Sequence, residues 1–145
     1  MSLKINFIKQ TAGLDYNFLT KEFKNMVKKL LLSTAEQENA VCDVANIIFL
    51  DNIGIKKYNE EYLNNKDETD VISLKYKGNN ENIIDLLISL TTVEKNAEIY
   101  GTKYLKEMYR VIIHGFLHFC GYNDYNDKDF RMMKKLEDKY LKLIK

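Results

Sequence analysis

The 145-residue sequence contains no proline and no tryptophan. Average proline usage of ~5% would predict several, so turns must rest on Gly, Asn and Asp. Cysteine is scarce too. Cys42 and Cys120 cannot form a disulfide framework, and a reducing cytoplasm is the simplest compartment. No stretch approaches the ~20 apolar residues of a membrane span, so no membrane contact is expected. The start, Met1-Ser2-Leu3-Lys4-Ile5-Asn6-Phe7, lacks the unbroken apolar run of a secretory signal. A formal net charge of +1 says little about partners. Arginine is rare: only Arg110 and Arg131 stand among 22 basic residues, so bidentate phosphate forks are few.

What is present is ordinary for a folded protein. Hydrophobic residues make up 46% and charged residues 30%, which excludes wholesale disorder, and the length suits a single domain spanning 1–145. Leu3 to Ile8 alternates apolar and polar residues as a half-buried strand does. Asp15 to Leu32 carries Phe18, Leu19, Phe23, Met26, Val27, Leu30 and Leu31 at helical spacing. Val41 to Leu50 is β-rich, and Ile53 to about Leu63 reads as a helix with Ile55, Tyr58 and Tyr62 inward. Thr69 to Tyr76 and Ile83 to Leu90 are expected strands around the turn-like Gly78-Asn79-Asn80. Everything after Thr92 looks helical, in two pieces parted near Gly121. The order β-α-β-α-β-β-α-α gives an α/β (α+β) domain with a four-stranded sheet covered by helices.

Both histidines fall in one short segment, Arg110-Val111-Ile112-Ile113-His114-Gly115-Phe116-Leu117-His118-Phe119-Cys120-Gly121-Tyr122-Asn123-Asp124. Residues four apart on a helix lie ~40° apart in rotation, with Cβ atoms ~5–6 Å apart, so His114 and His118 can converge on one ion. Gly121 can take the left-handed conformation that ends a helix, and Asp124 can then return a carboxylate to the same point. Two imidazoles and a carboxylate leave a fourth position open, as in catalytic zinc sites. Two packed or surface histidines are the bland alternative. Against it, the helix is apolar on nearly every side, and buried imidazoles need partners. The spacing His-x3-His-x2-Gly-x2-Asp is also the metzincin-type arrangement with an acidic third ligand. Such proteases carry Glu directly after the first His. Gly115 stands there, so peptide hydrolysis is disfavoured. Cys120 lies on the opposite side of the helix and reads as a small core residue.

The segment from His114 to Asp124 resembles the H-G-x-L-H-x-x-G-Y-D-H signature of the YbeY family, the metal-dependent endoribonucleases of ribosomal RNA maturation. Asn59 through Tyr62 and Thr69-Asp70-Val71-Ile72-Ser73 are similar to the family's L-N-x-x-[YF]-R and T-D-V-L-S-F. Asp85 to Ser89 resembles its G-D-I-x-I-S strand, and Met132, Met133, Glu137 and Asp138 fall on its C-terminal helix motif. The resemblance implies a four-stranded mixed sheet with about five helices and a metzincin-like metal helix. It implies one Zn2+ per chain, or another divalent ion, held by His114, His118 and Asp124. It further implies hydrolysis of single-stranded RNA at the 3′ end of small-subunit (16S) rRNA and in ribosome quality control, in the cytoplasm. The implied partners are rRNA and the small ribosomal subunit, with ribosomal proteins or an assembly GTPase.

Four positions depart from the family pattern: Asp124 where most members have His, Leu63 where they have Arg, Leu74 for Phe and Ile84 for Gly. Arg110, one turn before His114, could replace the missing guanidinium and neutralise the phosphate beside the catalytic His114 and His118. An ion pair with Glu107 or another acid is the alternative. Asp70 is expected to cap or bond backbone, and Asn126 and Asp127 to cap the last helix. Lys128, Arg131, Lys134, Lys135 and Lys139 form a basic helix able to track an RNA backbone or simply to face solvent. Loss of the Arg at position 63 also leaves room for a ribosome-assembly binding protein with a structural metal and little catalysis.

Overall fold

A computed structural model describes residues 2–63 and 69–144. Strands β1 (Lys4–Lys9) and β2 (Val44–Leu50) are joined by helix α1 (Lys21–Gln37), and α2 (Asn52–Leu63) leads to β3 (Val71–Gly78) and β4 (Glu81–Ser89). Helices α3 (Leu90–Tyr100), α4 (Tyr104–Phe119) and α5 (Asp127–Leu141) complete the chain. The sheet order is β1-β2-β4-β3, parallel except for the antiparallel β3–β4 pair. The expected mixed four-stranded sheet and five helices are therefore present. Among the described residues no helix is long and apolar enough to cross a membrane.

Strand alternation sorts the side chains into two layers. Ala45, Ile47 and Phe49 of β2 and Ile84, Leu86 and Ile88 of β4 point into the main core, against α1, α4 and α5. Leu50, Ile55, Ile72 and Leu87 form a smaller cluster under α2 on the opposite face. Because α2 covers only that part of the sheet, its outer side stays wet. Tyr62, expected inward, is 67% exposed and rests on Tyr58 with ring centroids 4.5 Å apart; the polar Asn59 is buried instead.

Two boundaries also differ from expectation, while the hairpin turn falls where it was expected. Helix α1 begins at Lys21, not Asp15, because Thr20 supplies the N-cap and accepts from Phe23 N at 3.1 Å; Phe18 and Leu19 still pack on the core from the preceding loop. The C-terminal third holds three helices, not two, since Gly101 takes φ 64° and ends α3. The hairpin turns at Asn79 and Asn80, both with positive φ (52° and 64°), a conformation asparagine tolerates better than most residues.

Helix α4 is the axis of the fold. It lies on β3 and β4 and is flanked by α1, α3 and α5. A glycine allows the close approach: a Cβ at Gly115 would stand 2.6 Å from Leu86 Cδ2 and 3.1 Å from Val71 Cγ2. Ser73 Oγ on β3 donates to Gly115 O at 3.0 Å. That contact sets the helix's rotation and leaves His114 and His118 on its partly open flank.

Candidate metal centre

The end of α4 is built as its sequence suggests. Gly121 has φ +108°, its N–H bonds to His118 O at 3.1 Å, and Tyr122 N–H bonds to Leu117 O at 3.1 Å. These two bonds are the Schellman pattern that reverses the chain after a helix. The reversal brings Asp124 back over the histidine pair, and the expected trio meets.

His114 Nε2 and His118 Nε2 are 3.1 Å apart. Asp124 Oδ2 lies 3.4 Å from His114 Nε2, and Asp124 Oδ1 lies 4.0 Å from His118 Nε2. A tetrahedral zinc site with bonds of ~2.0–2.1 Å has ligand–ligand edges of about 3.4 Å, so these separations suit one ion. The hydrogen bonding leads to the same conclusion. His114 Nδ1 is 2.6 Å from Glu137 Oε2, and His118 Nδ1 is 3.0 Å from Tyr122 O. Both partners are acceptors, so both Nδ1 atoms carry the proton. When both rings are neutral each has only one such proton, which leaves two Nε2 lone pairs and a carboxylate converging on one point. That arrangement could hold a divalent cation. The residues fit the divalent ion expected there.

Charge follows the geometry. Burial pushes the His114 pKa down, but the Glu137 hydrogen bond and charge, with Asp70 and Asp124, outweigh it and the net shift is upward. His118 is lowered, first by burial and then by its neighbour His114. Burial pushes Glu137 up, yet the hydrogen bond and charge of His114, with Arg110, hold it below the usual carboxylate range.

Arg110 stands apart from the trio. Its guanidinium bonds Glu107 through Nε at 2.9 Å and Nη2 at 2.5 Å, Glu137 Oε1 through Nη1 at 3.2 Å, and Asp70 Oδ2 at 3.4 Å. The ion-pair alternative describes this position, and the donors that a phosphate would need are already on carboxylates. Among the described residues Asp70 accordingly uses its side chain on Arg110 and on Asn96 Nδ2 (3.4 Å), not on backbone as expected. Asn126 caps α5, accepting from Asp129 N at 2.8 Å, with Asp127 in the first turn. The basic side chains of α5, Lys128 to Lys139, are exposed. Cys120 caps α4 half-buried, its thiol pushed up to about 12 mainly by burial, and is no part of the trio.

Glu137 is the partner that the spacing argument did not assign. Its signal was legible: Met133, Glu137 and Tyr140 form one buried stripe of α5, and a carboxylate in such a stripe demands a cationic or donor partner. The second anchor runs through Tyr122, whose hydroxyl donates to Glu38 Oε1 at 2.6 Å; Tyr140 donates to the other oxygen of the same carboxylate.

Beside His118 a cavity of about 480 Å³ opens between the end of α2, β3 and the loop after α4, lined among others by Asn59, Leu63, Ser73 and Asn123. Leu63, where the resemblance expects arginine, thus lies at this cavity with no guanidinium.

Comparison with known proteins identifies the family. The model of the family described as Endoribonuclease YbeY matches residues 7–145. An Endoribonuclease YbeY of Flavobacterium psychrophilum is 39% identical over 120 residues, covering 83% of each chain. That of Petrotoga mobilis is 34% identical over 145 residues, covering 99% of this chain and 97% of its own. The solution structure of TM1509 from Thermotoga maritima superposes with a TM-score of 0.62 at 23% identity, covering 95% of this chain and 87% of that one, a likeness of fold. A match along nearly the whole sequence, joined to a His-His-Asp centre at the family's motif, places the chain in the endoribonuclease YbeY family.

Proposed function

We propose that this chain is a metal-dependent endoribonuclease that cuts single-stranded RNA, with zinc as its cation and the 3′ end of small-subunit rRNA as its substrate. The observation that supports the proposal is the convergence of three candidate ligand groups, His114 Nε2, His118 Nε2 and the Asp124 carboxylate, at separations that suit one ion. A divalent cation held there by His114, His118 and Asp124 would polarise a phosphoryl oxygen and lower the pKa of water toward ~7. The chain's own residues do the rest. His114 and His118 are held in one orientation by Glu137 and Tyr122, so no reorganisation is needed when the substrate arrives. Gly115 offers no side chain to take a proton, and Asp124, whose side chain is 32% exposed, is the carboxylate of the trio that can accept one. The adjoining cavity falls within the ~300–1,000 Å³ of ligand sites and opens to the edge strand β3, a size and place suited to the nucleotide next to the cut. Working contact with the small ribosomal subunit, together with ribosomal proteins or an assembly GTPase, and a cytoplasmic location complete the proposal.

An assembly role in which the cation only holds the fold is favoured by one observation: Leu63 lacks the family's guanidinium, and Arg110 is already bound to three carboxylates. One assay separates the two. Wild type and His118→Ala, each with measured metal content, are compared on a structured RNA with a single-stranded 3′ tail. Chelator-sensitive cutting by wild type and its loss in the variant are expected. If neither protein cuts while both fold and bind ribosomes, the assembly role stands. Equal, chelator-insensitive cutting by both means a contaminating nuclease.

A further inference from the structure

We infer that Glu137 is a positioning residue that fixes His114 as an Nε2 ligand, and that Arg110 serves the centre by holding Glu137 in place. The inference rests on the proposal that His114, His118 and Asp124 bind a divalent cation. Three observations support it.

Glu137 is 2% exposed, and a buried carboxylate must be paired or hydrogen-bonded. Its two oxygens are divided between two partners. Oε2 meets His114 Nδ1 at 2.6 Å and Oε1 receives Arg110 Nη1 at 3.2 Å. Glu107, equally buried, receives two further donors of the same guanidinium. The fork therefore cannot swing toward a substrate without stripping two buried carboxylates of their partner. The order of contacts is Glu107–Arg110–Glu137–His114, and it runs from α4 to α5 and back to α4.

The direction of the contact decides its chemistry. A carboxylate on Nδ1 selects the tautomer with the proton on that atom, frees the Nε2 lone pair, and raises the ring's basicity as a ligand. In water a free imidazole prefers neither this geometry nor this rotamer strongly enough to hold it. His118 receives only a backbone carbonyl at the same position, 3.0 Å away. The two imidazoles are thus unequal, and His114 is the stronger donor. Because Glu137 lies on α5, docking of the C-terminal helix and completion of the metal centre become one event.

The test uses the full chain with zinc as probe. Zinc affinity is measured by competition with a chromophoric chelator for wild type, Glu137→Gln, Glu137→Met and the neighbouring exposed Asp138→Asn. Nitrogen-15 NMR of the histidine rings is recorded in parallel. Loss of an outer-shell partner typically weakens metal binding by ~10–100-fold. Glu137→Gln, which keeps an acceptor but no charge, is expected near ~10-fold and Glu137→Met near ~100-fold; Asp138→Asn is expected to match wild type. In zinc-loaded wild type the His114 spectrum is expected to show a proton on Nδ1 and zinc on Nε2, with the Nδ1 signal moved in Glu137→Gln. Arg110→Met combined with Glu137→Gln is expected to bind zinc no more weakly than Glu137→Gln alone, since both act through one contact. Equal zinc affinity in wild type and both Glu137 variants overturns the inference, as does zinc on Nδ1 of His114. Should Glu137→Met fail to fold, Glu137→Gln and the wild-type spectrum still decide. A wild type that binds no zinc overturns the metal centre itself, an outcome distinct from zinc bound equally by all variants.

Discussion

Gly115→Ala is the most demanding perturbation of this structure, because two effects of opposite sign meet at one methyl group. In an exposed helix interior, replacing glycine by alanine is worth about 1 kcal/mol in favour of folding. At position 115 the new Cβ stands 2.6 Å from Leu86 Cδ2, where carbon atoms prefer about 3.5–4.0 Å. Something must move by about 1 Å; Leu86 is fully buried, and the other neighbour, Val71 Cγ2 at 3.1 Å, is half-buried. Overpacking of this kind costs about 1–3 kcal/mol. The packing cost exceeds the propensity gain, and the net expectation is a loss of about 1 kcal/mol, or roughly 2–4 °C in Tm for a chain of this size.

Chemical denaturation of the metal-free chain measures this directly. Leu86→Val removes the methyl group that the new Cβ would strike, so the double variant Gly115→Ala/Leu86→Val is expected to be at least as stable as Leu86→Val alone. The coupling between the two sites is expected at about 0.5–3 kcal/mol, the range found for residues in contact. A helix displaced from β3 and β4 also carries His114 away from Glu137, so Gly115→Ala alone should bind zinc less tightly. A Gly115→Ala chain stabilised by about 1 kcal/mol would refute the claim that close packing, rather than chance, put glycine between the histidines.

Arg110→Met leaves Glu107 and Glu137 buried without their shared cation; removal of one partner from a buried pair costs about 3–5 kcal/mol, so thermal denaturation should show a drop several times that of Gly115→Ala. In the metal-free chain the Glu137–His114 pair is expected to set a stability window. Glu137 is held below its ordinary 4.5, so its contribution is present above that pH and fades as pH falls through the lowered value; His114 is raised above 6.5, so its contribution is present below that pH and fades as pH rises through the raised value. Urea midpoints against pH should therefore peak between those limits, and Glu137→Gln should flatten the peak. Zinc at about 1,000 times its dissociation constant should add about 4 kcal/mol to stability in the wild type and much less in Asp124→Ala, read by the same urea titration.

How far the sequence could be read depended on whether the deciding contact was local. The end of α4 was legible because every part lies within eleven residues: the i,i+4 histidines, the helix-ending Gly121 and the returning Asp124 follow from helix geometry alone. The strands and their hairpin were legible from alternation and from Asn79-Asn80. Tyr62 was misjudged because helical spacing says which residues share a face, not how much of a sheet the helix covers; α2 caps one end of it and leaves that ring in water. The break between α3 and α4 was carried by one glycine, Gly101, with polar residues around it that a helix would also accept. Arg110 was ambiguous for a different reason. Its near neighbour Glu107 is visible at i,i+3, but Asp70 and Glu137 lie 40 and 27 residues away, and only the folded chain assigns its remaining donors.

The substitutions that separate this chain from the family pattern act together through charge. Asp124 brings a negative charge where the resemblance expects a neutral ring, and Leu63 lacks the positive one expected there. Around the histidine pair and the neighbouring Arg110 stand Asp70, Glu107, Asp124 and Glu137, against the single guanidinium of Arg110. Four carboxylates and one guanidinium leave three negative charges uncompensated when both imidazoles are neutral. A partly buried cluster of that sign attracts a divalent ion strongly and repels a phosphodiester, because charges there are screened far less than at an open surface. With the ion in place one negative charge remains, and the cation presents the local positive field that a phosphoryl oxygen needs. A site in which arginine supplied that field could hold RNA in either state. Under the proposed function, the same two replacements would make entry of RNA conditional on the cation, linking substrate binding to occupancy of the centre.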